Sequence, residues 1–199
     1  MFGARIIVAD SDARFRQKLN KLLTKAGYLV VAEEDDGRKA IQAIHTMQPD
    51  LVIIDSQLPG KNGLEIAKIV EEGRVAPVLL LTAYNHREMV EKAKESWVFA
   101  YLVKPVNEAN LFPAMEIAMA NYRKLIKLEQ KISQLEETLE TRKLVDRAKG
   151  MLMETLNISE PQSFRLLQTQ SMQRRQSMRQ VAEIILSYSV EQLKEKIHY

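Results

Sequence analysis

The chain has 199 residues, 46% hydrophobic and 28% charged, with a formal net charge of +3. That composition is ordinary for a folded protein and leaves room for one or two domains. No apolar run approaches the ~20 residues of a membrane-spanning helix, and the lack of cysteine excludes disulfides and thiolate chemistry. The start, "MFGARIIVADSD", has no basic region followed by a long apolar stretch, so a cytoplasmic protein is expected. Charge is uneven: 15 basic residues face 16 acidic ones over positions 1–120, but 14 face 10 over positions 121–199. The basic half points to a polyanionic partner.

In chain order, short β-branched runs recur at "RIIVA" (5–9), "LVVAEE" (29–34), "LVIID" (51–55), "VLLLT" (78–82) and "AYLVK" (100–104). Helical spacing lies between them: Phe15, Leu19, Leu22 and Leu23 share one face, as do Ala40, Ile41 and Ile44. Strand and helix alternating in this way predicts an α/β fold, a doubly wound five-stranded parallel sheet. Strands that are apolar throughout fit a sheet covered by helices on both faces.

In such sheets ligands bind beyond the carboxyl ends of the strands. Asp10, Ser11 and Asp12 follow the first run, Asp55 ends the third, Thr82 the fourth and Lys104 the fifth. Any one of these alone reads as a solvated loop acid or a surface lysine; the ordered set on successive strand ends does not. Converging carboxylates repel unless a cation sits among them, and hard oxygen ligands suit Mg²⁺. A carboxylate held by a divalent metal, with a hydroxyl and an ammonium beside it, can act as a nucleophile on phosphorus.

Asp10, "DLVIIDSQLPGKNG", "LLLTA" and "YLVKP" together resemble the receiver domain of two-component response regulators, a flavodoxin-like fold; the resemblance covers residues 4 to about 122 and places a receiver domain at 1–122. The resemblance implies that Asp55 accepts a phosphoryl group from a sensor histidine kinase. It implies Mg²⁺ held by Asp10, Asp55 and the backbone carbonyl of Gln57, with Ser11 or Asp12 as a further ligand. Thr82 would bind a phosphoryl oxygen, Lys104 would pair with the phosphate, and Tyr101 would turn inward with Thr82 as a switch. A cis Lys104–Pro105 bond is also implied. The sequence departs from the pattern twice. Ser11 stands where a second acid is usual, and Asp12, one residue later, also suits a helix N-cap. Trp97 stands where a glycine usually ends the fourth helix, and is expected either at the switch surface or as an incidental exposed side chain.

Residues 123–141 form a connector. Leu125, Leu128, Ile132, Leu135 and Leu139 are spaced 3, 4, 3, 4, an a/d seam flanked by Lys124, Glu129, Lys131 and Glu136. A homodimer through this helix is expected, or failing that a rigid helical arm or packing on its own domain.

Residues 142–199 read as three amphipathic helices in a small bundle. Leu144, Val145, Ala148, Met151 and Leu152 give the first face; Phe164, Leu167, Ser171 and Met172 the second; Met178, Val181, Ala182, Ile185 and Leu186 the third. Ser159 and Gln162, with Pro161, form a capping-box pattern. Between Arg142 and Ala182 eight basic residues face three acids, enough to neutralise phosphates. Gly150, mid-helix, costs ~1 kcal/mol against Ala and suggests a close approach of RNA or of a neighbouring helix.

"AKGMLM", "SE" with Phe164, a Met beside a basic pair, and "VAEIIL" resemble the ANTAR domain of transcription antitermination regulators. That implies binding to hairpins in nascent RNA, with Arg147, Lys149, Arg174, Arg175 and Arg179 as candidate contacts. The expected function is a phosphorylation-controlled antitermination regulator, not an enzyme. A phosphorylation-independent scaffold controlling an RNA-binding dimer is the alternative. A DNA-binding regulator is weaker, since the tail has no helix-turn-helix with a short glycine turn. An aspartyl-phosphate phosphatase would need an acid where Gln57 stands.

Overall fold

The computed structural model describes residues 3–83 and 96–196. It divides into two compact units, residues 1–127 and 128–199.

The first unit carries strands β1 (Arg5–Ala9), β2 (Leu29–Glu34), β3 (Leu51–Asp55), β4 (Val78–Thr82) and β5 (Val98–Val103). They pair in parallel in the order β2-β1-β3-β4-β5. Helices α1 (Ala13–Lys25), α2 (Gly37–Met47) and α3 (Gly63–Gly73) connect them. The helix expected before Trp97 lies outside the described residues. The period-two alternation of the strands sorts the core into two layers. Ile6, Val8, Ile53, Leu79 and Leu81 meet Leu19 and Leu23 of α1 and Leu111, Met115 and Met119 on one face. Ile7, Ala9, Val52, Ile54 and Val78 meet Ala40 and Ile44 of α2 and Ile66, Ala67 and Val70 of α3 on the other.

The fifth strand runs over Val98–Val103 rather than 100–104. Its register with β4 shifts between Val78 and Leu79, which pair with Val98 and Ala100. Phe99 is therefore the extra residue of a bulge, and periodicity could not have placed it.

Trp97 is neither exposed nor a surface contact. It is 6% exposed, and its Nε1 donates to the Ala76 carbonyl at 2.9 Å. Its ring meets Phe99 and Tyr122 edge-on, at centroid distances of 4.9 and 6.0 Å, with the Arg74 guanidinium 4.4 Å from its centroid. A large ring beside two other aromatics and a free carbonyl gains more from burial than from solvent.

Helix α4 (Glu108–Leu156) runs 49 residues without a break. The last receiver helix, the connector and the first helix of the tail are thus one element. Leu125 packs at the edge of the receiver core, while Leu128, Ile132, Leu135 and Leu139 are each more than half exposed. Only the first seam residue, Leu125, packs on the receiver; the other four are exposed.

In the second unit, α5 (Glu160–Arg174), α6 (Met178–Ser187) and α7 (Val190–Lys196) gather with the end of α4. Ala148, Leu152, Leu167, Val181, Ala182, Ile185 and Leu193 form its core. Two expectations are corrected. Helix α5 buries Ser163 and Leu167, whereas Phe164 is 46% and Met172 66% exposed. A fourth helical segment, α7, adds Leu193 to the three-helix bundle; seven residues are too few to show a period. Its signal was local. The serine-to-glutamine spacing that opens α5 recurs before α6 and α7, where the Ser177 and Ser189 amides donate to Gln180 and Gln192 Oε1 at 2.9 and 3.0 Å. Finally, a Cβ added at Gly150 would meet nothing within 4 Å. Among the described residues no neighbouring helix demands that glycine.

Candidate functional site

The carboxyl ends of β1, β3, β4 and β5 bring Asp10, Asp55, Thr82 and Lys104 together. Asp10, Asp55 and Thr82 are buried. Lys104 Nζ donates to Asp10 Oδ2 at 2.5 Å and to Asp55 Oδ2 at 3.0 Å, so one ammonium bridges both acids. Its charge also lies 4.4 Å from the centroid of the Phe15 ring. Burial pulls the Lys104 pKa down, but the hydrogen bonds and charges of Asp10 and Asp55 outweigh it and hold the ammonium above its ordinary value.

The remaining oxygens of both acids accept backbone bonds. Asp10 Oδ1 takes the amide of Asp12 at 2.9 Å, and Asp55 Oδ1 the amide of Gln57 at 3.3 Å. The amide of Lys104 donates to the Thr82 carbonyl at 2.7 Å, tying the ends of β4 and β5, and the Lys104–Pro105 bond that follows is cis. Gly63, at the start of α3, permits the close approach: a Cβ there would stand 2.7 Å from the Asp55 carbonyl oxygen. Gly60 turns the loop with φ +78.

The structure separates the other candidates. Asp12 Oδ1 accepts the amides of Arg14 and Phe15 at 2.8 and 3.2 Å, the N-cap of α1. Ser11 is exposed and Tyr101 half-buried, in register with Leu80. Among the described residues no group of three or more His, Cys, Asp or Glu side chains gathers as a metal site. Among the described residues Lys104 bridges two carboxylates, those of Asp10 and Asp55. Sequence reasoning missed Ser56, whose Oγ donates to Thr82 Oγ1 at 3.0 Å, Arg16, which donates to the Asp10 carbonyl, and Phe15 under Lys104. Ser56 follows Asp55 directly, the one signal that could have found it.

In the second unit the five candidate basic residues differ in what they touch. Lys149 is engaged: Asp146 and Glu160 accept from it at 2.8 and 2.7 Å and raise its pKa. Arg179 pairs with Glu183 at 3.0 Å, and Arg174 donates to Gln170 at 3.0 Å. Arg147 and Arg175 are exposed.

Comparison with known proteins bears on both units. The family profile of the response regulator receiver domain matches residues 6–116, and that of the ANTAR domain residues 133–186. The transcriptional regulatory protein PdtaR of Mycobacterium tuberculosis is 40% identical over 182 residues, covering 92% of this chain and 89% of PdtaR. Among solved structures, a LuxR-family two-component response regulator from Aurantimonas superposes with a TM-score of 0.56 at 30% identity, over 60% of this chain and 86% of that one. CheY in a CheX–CheY–BeF3–Mg²⁺ complex from Borrelia burgdorferi shares the fold, with a TM-score of 0.53 at 20% identity, over 57% and 87%. Among the described residues no helix is long and apolar enough to cross a membrane. The chain belongs to the response regulators, with a receiver domain followed by an RNA-binding ANTAR antitermination domain.

Proposed function

We propose that this regulator is switched by phosphorylation of Asp55. A carboxylate oxygen of Asp55 attacks the phosphorus of a phosphohistidine on a sensor kinase. An O–P bond forms, the N–P bond breaks, and the imidazole leaves. The observation that carries the reading is the Lys104 ammonium bridging Asp10 and Asp55. It stands where charge must be neutralised once Asp55 carries a phosphoryl group. Thr82, at the next strand end, would donate to a phosphoryl oxygen, and Tyr101 on β5 would move with it.

Asp10, Asp55 and the Gln57 carbonyl are hard oxygen donors and fit Mg²⁺. Bound there, the ion would supply further neutralisation of the phosphoryl oxygens. Asp12 is committed to capping α1. Among the described residues only two acids remain, so this metal site is weaker than one with a second acid at position 11.

The exposed seam of α4 is proposed to join two copies in a parallel coiled coil. With Leu125, Ile132 and Leu139 at a and Leu128 and Leu135 at d, Lys124 and Lys131 fall at g, and Glu129 and Glu136 at e. Parallel g-to-e pairing sets each lysine against a glutamate of the other copy, whereas antiparallel pairing sets like charges together. Two tails then engage hairpins in nascent RNA and prevent a terminator from forming. Arg147, Arg174, Arg175 and Arg179 supply phosphate or loop contacts, while Lys149 holds α5 against α4. The protein acts in the cytoplasm as a switch and not as an enzyme.

The test is intact mass after incubation with acetyl phosphate and Mg²⁺, beside the Asp55→Asn variant. A phosphoryl adduct on the wild type alone supports the switch. No adduct on folded protein supports a second reading, an RNA-binding dimer controlled without phosphate, which the reduced acid count favours.

A further inference from the structure

Helix α5 presents a stripe that the described residues of its own bundle leave exposed. Phe164, Gln168 and Met172 stand at i, i+4 and i+8, about 6 Å apart along the axis. All three are exposed, and neither Phe164 nor Met172 joins the hydrophobic cluster of the second unit. An exposed aromatic ring offers a flat apolar face on which another ring can stack. Charge decides what that is. The one acid of α5, Glu160, is engaged by Lys149. Arg165, Arg174 and Arg175 lie along and just beyond the same helix, and no carboxylate among the described residues pairs with Arg165 or Arg175. The surroundings of the ring thus attract a polyanion, which brings unstacked bases as well as phosphates.

We propose that Phe164 is a stacking platform for an unpaired base in the loop of the bound RNA hairpin, with Gln168 beside it able to hydrogen-bond a base edge and Arg175 neutralising the adjoining phosphate. The inference rests on the hairpin-binding reading above. A paired stem offers no free base face, so the contact distinguishes a loop from a duplex. A cationic ridge lacking the ring would bind both alike.

The experiment uses the full chain with acetyl phosphate and Mg²⁺. The probe is a stem-loop RNA of fixed stem and randomised loop, enriched on the wild type, alongside the same stem without a loop. Phe164→Leu keeps an apolar side chain and removes the ring; Phe164→Tyr restores the ring. Leucine is expected to weaken binding of the enriched stem-loop about tenfold or more, and tyrosine to stay within about twofold of the wild type. Binding of the loopless stem should be unchanged in both. The inference is overturned if Phe164→Leu binds the stem-loop like the wild type. Equal losses on both RNAs overturn it too, as does a change confined to the protein's self-association, which would make the stripe a protein contact. If the wild type enriches no stem-loop at all, the hairpin reading itself fails, an outcome separate from a wild type that binds and a variant that binds equally well.

Discussion

Lys104 is the residue around which the receiver site is organised. Its ammonium is held within hydrogen-bond reach of Asp10 and Asp55, while the Phe15 ring faces its charge. Truncating it would leave two buried carboxylates sharing one end of the sheet with no counter-charge, the costly half of a broken pair. Ser11 sets the other property of the site. A hydroxyl donates less charge to a hard cation than a carboxylate does. Ser11→Asp is therefore expected to tighten Mg²⁺ binding by about tenfold, since affinity in oxygen sites follows ligand charge. Calorimetric titration of wild type and variant measures this. Equal affinities would mean that position 11 does not reach the metal.

Among the elements, β5 and α4 carry the features with the most consequence. The bulge at Phe99 sits beside Trp97, and both rings pack on Tyr122 of α4. The Tyr122 hydroxyl in turn donates to the Arg74 carbonyl at 2.6 Å, closing the cluster over the turn after α3. Trp97→Ala removes the ring and the donor to Ala76 together. It is expected to destabilise the receiver by about 3–5 kcal/mol, the range for large aromatic truncations in a core, with Trp97→Phe costing less. Chemical denaturation followed by circular dichroism reports the loss; a shift below 1 kcal/mol would contradict the packing role.

The whole molecule is two compact units with one uninterrupted helix in both. That helix exposes Leu128, Ile132, Leu135 and Leu139 over successive turns, an apolar stripe of the width that coiled-coil partners cover. Ile132→Asp places a charge in the centre of that stripe. In the presence of acetyl phosphate and Mg²⁺ it is expected to leave the chain monomeric under conditions in which the wild type sediments as a dimer, and to lower affinity for paired hairpins through lost avidity. An unchanged sedimentation coefficient would rule out the seam as the dimer contact.

The sequence by itself determined the parallel sheet, the strand-end placement of Asp10, Asp55, Thr82 and Lys104, the 3-4 seam and the apolar faces of α6 and of the end of α4. Each is a periodic or end-of-strand signal, set by backbone geometry that local residues obey. Only the tertiary structure decided what depends on neighbours distant in the chain. Trp97 is buried because Phe99, Tyr122 and Arg74 surround it. Lys149 is an ion-pair anchor because Glu160 arrives from the next helix. Phe164 is exposed because Ser163 and Leu167 turn that side of α5 inward. Side chains are sorted between core and solvent by packing against residues remote in sequence, and a local period cannot carry that information.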